Sequence, residues 1–174
     1  DEKERAKEEV KKLRDDAEKT DRDLEKEVED TARELKETLE RLRREVERLE
    51  EELERISRRG NKDDETLKRI KEKLEKLKKK AKDDNDRLEE RIRRKREELK
   101  KHLDDLRKTL DELRRRVRDK DLTEELKRVL DDHERTLRKI EEDLRRILEE
   151  HKKETKKITE ELERILEKMR KDEE

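Results

Sequence analysis

Three histidines (His102, His133 and His151), nine threonines and two asparagines are the residues of this 174-residue chain that offer chemistry beyond plain charge. Their spacing sets them apart. Thr20, Thr31, Thr38, Thr109, Thr136, Thr155 and Thr159 each stand three or four residues from apolar positions on both sides, as do all three histidines, and Asn85 falls between Ala81 and Leu88. That is the beat of one helix face, so these polar groups share the stripe that a helix buries. A buried polar group left without a partner costs about 1–3 kcal/mol, so such groups favour the one arrangement that pairs them. Buried hydrogen-bond layers that fix register are the chemistry expected here.

Other chemistries find less support. A zinc site needs ligands converging at about 2 Å on one ion. His133 and His151 are about 27 Å apart along a helix that rises about 1.5 Å per residue, and His102 can approach only one of them. The stripe carries no carboxylate at those levels, so no metal site and no cofactor are expected. Protonating a neutral buried histidine removes its acceptor and charges the core, which makes a pH response the better-motivated functional reading of His102, His133 and His151. Ser57 is the only serine and lies near a helix end without a histidine partner. No glycine-rich phosphate loop occurs, and the many carboxylates read as a solvated face, so no catalytic residue is expected.

The elements that position these residues are helices. There is no Pro and one Gly, and Ala, Leu, Glu, Lys and Arg dominate, all strong helix formers. The stripe runs through Leu39, Leu42, Val46, Leu49, Leu53 and Ile56, through Leu103, Leu106, Leu110, Leu113 and Val117, and through Leu137, Ile140, Leu144, Ile147 and His151. Two breaks interrupt it. At the first, Gly60 can take the left-handed conformation that ends a helix, Asn61 is the next best, and Asp63 or Asp64 can cap the helix that follows. At the second, the stripe jumps from Val117 to Leu122, and Asp121 with Glu124 makes a capping box, with Thr123 as an alternative cap. The expected helices cover about 2–58, 64–118 and 122–172. Short connections between near-equal helices imply an all-α, elongated, antiparallel up-down-up three-helix bundle forming a single domain. The stripe mixes seven- and eleven-residue units, as in Ala17, Thr20, Leu24, Val28, so only weak supercoiling is expected.

This topology assigns levels. With turns near residues 61 and 121, positions on the first and second helices are level when their numbers sum to about 122, and on the second and third when they sum to about 242. Thr20 then meets His102, with Thr136 about one turn away. Thr38 meets Asn85, with Thr155 and Thr159 near. Thr31 is level with His151, and Thr109 with His133.

Composition excludes several function classes. Apolar residues make up 24% of the chain, far below the roughly 45–50% of an average domain and close to the roughly 28% that one two-in-seven seam requires. Few apolar residues fall off the seam (Ala32, Val129, Leu148 and Leu166 are the main ones), so little remains to cover a partner. No stretch approaches the roughly 20 apolar residues that cross a bilayer, and no targeting signal is evident, which leaves location open. Formal net charge is −1. The basic runs Lys78-Lys79-Lys80 and Arg93-Arg94-Lys95-Arg96 lie on a basic second helix flanked by acidic ones, with no aromatic to stack a base, so no nucleic-acid partner is expected.

The whole chain resembles de novo designed helical bundles built on parametric backbones with buried hydrogen-bond networks. The resemblance rests on Lys/Glu/Arg/Leu filling, as in Glu160-Glu161-Leu162-Glu163-Arg164-Ile165-Leu166, on the Asp-Leu-Thr-Glu-Glu-Leu helix start at 121–126, and on His, Thr and Asn within an aliphatic core. It implies a synthetic, soluble scaffold without a natural substrate. The expectation is a monomer needing no partner, with an assembly or helix-accepting module, pH-responsive through its histidines, as the alternative.

Overall fold

A computed structural model describes residues 1–60 and 64–173, and among these the regular structure is three helices: α1 (Glu2–Arg59), α2 (Asp64–Arg116) and α3 (Lys120–Glu173). The chain is an all-α three-helix bundle. Gly60 ends α1 at φ 64°, a conformation that costs a residue without Cβ nothing, and its N–H donates to the Ser57 carbonyl at 3.3 Å. Asn61 and Asp63, the other stop and cap expected at this break, lie outside the described residues. Asp64 opens α2, with Glu65 beside it in the acidic first turn.

The second break falls earlier than the sequence implies. The second helix stops at Arg116 rather than 118, and α3 starts at Lys120 rather than 122. The Asp119 carbonyl takes the first helical bonds of α3, from the Thr123 N–H at 2.9 Å and the Thr123 hydroxyl at 2.8 Å. Asp121 therefore lies inside the first turn and does not cap it. The level of α2 against α3 is nevertheless the one expected, since Lys78–Glu163, Glu89–Lys152 and Arg107–Glu134 each sum to 241, close to 242.

Contacts divide the chain into two units, each containing part of every helix: Asp1–Thr31 with Arg91–Arg146, and Ala32–Glu90 with Ile147–Glu174. In the first, Glu9 pairs with Arg116 and Glu27 with Lys95. As numbers rise on α1 they fall on α2, so these two run antiparallel. Arg14 pairs with Glu125, and Asp21 touches His133, so α1 and α3 run parallel. The first unit's core joins Ala6 and Val10 to Leu110, Leu113, Leu122 and Leu126. In the second unit, Lys78 pairs with Glu163 and Glu89 with Lys152, which sets α2 antiparallel to α3. Its core sets Leu42, Val46 and Leu49 with Ile70 and Leu74 and with Leu162 and Ile165.

Burying a Leu or Ile side chain is worth about 1.5–3 kcal/mol, against about 0.2–1 kcal/mol for an exposed ion pair. The seam therefore holds each unit together, and the ion pairs refine its register. Val129, read from the sequence as lying off the seam, is buried at 5% exposure, because the steps Leu122, Leu126, Val129, His133 place it on the buried face of α3. No large hydrophobic is exposed among the described residues, and no described helix is long and apolar enough to cross a membrane.

Candidate functional site

The polar stripe residues separate into cross-helix groups and locally satisfied ones. The most complete group lies in the second unit. There α2 carries Asn85 four residues after Ala81, and α3 carries His151 and Thr155 one turn apart. The His151 ring nitrogen Nδ1 is 2.6 Å from Asn85 Oδ1. An amide oxygen only accepts, so Nδ1 carries the proton and Nε2 holds a lone pair. The Asn85 amide nitrogen donates to Thr155 Oγ1 at 2.8 Å. The Thr155 hydroxyl donates to the backbone carbonyls of His151 at 2.9 Å and Lys152 at 3.0 Å. The chain of bonds thus leaves the His151 ring, crosses to α2, returns to α3 and ends on the His151 backbone.

His151 is 2% exposed and Thr155 1%, so water competes little for these bonds. Nε2 of His151 is buried without a hydrogen-bond partner. Burial pushes the His151 imidazole below its ordinary pKa of 6.5, and the nearby Asp84 carboxylate opposes this in part. A second proton would place a charged donor where nothing accepts it.

Two smaller groups lie in the first unit. Thr31 is buried, donates to its own helix at Glu27 O (2.8 Å), and accepts from an Arg91 guanidinium nitrogen of α2 at 3.2 Å. His133 is 3% exposed, with Nδ1 2.9 Å from Asp21 Oδ1 of α1, yet neither atom makes a hydrogen bond, because their alignment is poor. The His102 ring meets the His133 ring edge-on, with centroids 6.5 Å apart.

Several expected partnerships are replaced. His102 is exposed and joins no buried layer with Thr20. His151 takes Asn85, and His133 meets His102 instead of Thr109, whereas Asn85 does reach Thr155, the neighbour its level implies. Thr38, Thr109 and Thr136 are half-buried, and each donates to the carbonyl four residues back, at Glu34 (2.9 Å), Asp105 (3.0 Å) and Asp132 (3.1 Å). A hydroxyl satisfied within its own turn places no demand on a neighbouring helix. Thr20 and Thr159 are half-buried.

Asp21 is the residue that the stripe reading passed over. The steps from Ala17 to Leu24 can run through Thr20 or through Asp21, since three-then-four and four-then-three are equally helical. A carboxylate therefore does stand at the level of His133. Among the described residues, no three metal-binding side chains converge on one point. Comparisons of the chain with family models, curated proteins and solved structures return no match.

Proposed function

We propose that the chain is a structural scaffold without a catalytic role, in which cross-helix polar layers select helix register. The observation that carries this reading is the Asn85–His151–Thr155 layer. Any slip along the helix axes separates the buried His151 and Thr155 from the half-buried Asn85, at about 1–3 kcal/mol for each buried group orphaned. Apolar contacts between Leu and Ile discriminate such slips weakly, because a shifted register still buries aliphatic surface. The lack of exposed large hydrophobics among the described residues supports a monomer, and the resemblance to designed bundles fits a scaffold without a natural substrate.

The test is the triple variant Asn85→Leu, His151→Leu, Thr155→Val. Removing all the polar partners together should leave stability equal or higher, while amide spectra lose their single set of sharp resonances. A variant that keeps one sharp set of native-like resonances removes the register role. Light scattering coupled to size exclusion should give the mass of one chain, and twice that mass would favour an assembly module.

A second reading rests on the buried, unpartnered Nε2 of His151. Acid would weaken this layer and make the bundle pH-responsive. Circular dichroism and solution mass that stay unchanged from neutral pH to about pH 4 would remove this reading.

A further inference from the structure

The first unit holds a groove of about 660 Å³ between α1 and α3. Volumes of roughly 300–1,000 Å³ are those of small-ligand clefts. On one wall stand Ala17, Glu18 and Asp21, and on the other His133 with the acidic start of α3. The small side chain of Ala17 leaves the space open where a Leu would fill it. Six carboxylates and two guanidinium groups line the groove, and one of the guanidinium groups, that of Arg14, is already paired with Glu125. The local field favours a cation.

Acidity alone does not make a site, but the back of this groove is specific. His133 lines it at 3% exposure, with Nδ1 lacking a hydrogen-bond partner, and the buried Oδ1 of Asp21 lacks one too. The two atoms are 2.9 Å apart. An ion at about 2.0–2.2 Å from both would see them at roughly 90°, the angle between neighbouring ligands in an octahedral shell. Glu18 lies one turn before Asp21 on the same helix face and is exposed, so its carboxylate is free to swing toward the pair.

We propose that Asp21 and His133, completed by Glu18 and water, form a site for a divalent transition cation of the zinc or nickel type. An imidazole nitrogen beside carboxylates selects such ions over magnesium and calcium, which prefer oxygen alone. His133 ligates through Nδ1 in its Nε2–H tautomer, so any proton on Nδ1 leaves on binding. His102 does not line the groove and is not part of the site.

Titration calorimetry with zinc chloride, paired with nitrogen-detected spectra of the histidine rings, tests this. One zinc per chain is expected, with the His133 Nδ1 resonance moving and the His151 resonances still. Asp21→Asn should weaken binding at least about tenfold, and His133→Leu should abolish it. His102→Leu should leave it unchanged, and circular dichroism should show every variant folded. Absence of binding at millimolar zinc overturns the proposal. So does binding that survives Asp21→Asn or leaves the His133 resonance in place. A magnesium titration that matches the zinc one also overturns it, since the groove would then be only a diffuse acidic surface.

Discussion

His151 and His133 are the same residue type, on the same helix, sealed from solvent to nearly the same degree, and their surroundings give them different partners. In the second unit, His151 meets a neutral amide that donates onward to Thr155, and the bonds close on the backbone. In the first, His133 meets a carboxylate at the back of a groove, at close distance but without a hydrogen bond. A closed neutral layer spends its polar groups on one another, which is what the proposed register role rests on. An unclosed pair leaves its polar atoms without hydrogen bonds, which is what the proposed cation site rests on. Burial by itself decides neither outcome.

The largest expected effect tests the closed layer. Asn85→Ala leaves the His151 Nδ1–H and the Thr155 hydroxyl without their cross-helix partner, at about 2–4 kcal/mol of stability in urea denaturation at neutral pH. Asp21→Ala breaks no formed hydrogen bond and should cost about 1 kcal/mol or less. If the two substitutions prove equally damaging, the contrast between closed and open layers is wrong. Thr155→Val comes next. It keeps the volume but strands the Asn85 N–H, at about 1–2 kcal/mol. A neutral result would mean that the amide finds another acceptor.

Acid should then weaken the closed layer. The His151 pKa is lower in the folded chain than its ordinary 6.5, so the unfolded chain binds the extra proton first. The associated stability is fully present above about pH 6.5 and is lost as pH falls from there through the folded pKa. Carboxylates elsewhere also respond to acid, so the measurement is a difference. Between about pH 7.5 and pH 5, the normal chain should lose more stability than His151→Leu. Parallel losses in the two would sever the layer from any pH response.

Much of this was legible in the sequence, and what was not has a definable cause. Gly60 marked the first turn, because a lone glycine in a helix-forming chain has one economical place to sit. The three helices followed from the apolar beat. The second turn carried no glycine, and a carbonyl rather than a side chain sets its start, which sequence does not display. Asp21 was missed because Thr20 occupies the alternative step of the same stripe, and a charged residue beside a polar one reads as surface. The self-satisfied threonines were mistaken for layer members because spacing fixes which face a hydroxyl is on, and local bonding to the carbonyl four residues back leaves no trace in spacing.

The smallest expected effect probes that last point. Thr136 in the first unit and Thr38 in the second each bond within their own turn. Alanine is the better helix former by about 0.5 kcal/mol, and the loss of a half-buried methyl offsets part of that. Thr136→Ala and Thr38→Ala should therefore each change stability by no more than about 0.5 kcal/mol, with a slight gain favoured. Thermal unfolding of the two variants reads this directly. A loss above about 1 kcal/mol at either position would be the signature of a broken cross-helix bond. That threonine would then belong with Thr155, and membership of a layer would have to be assigned by level alone rather than by whether the hydroxyl is already satisfied at home.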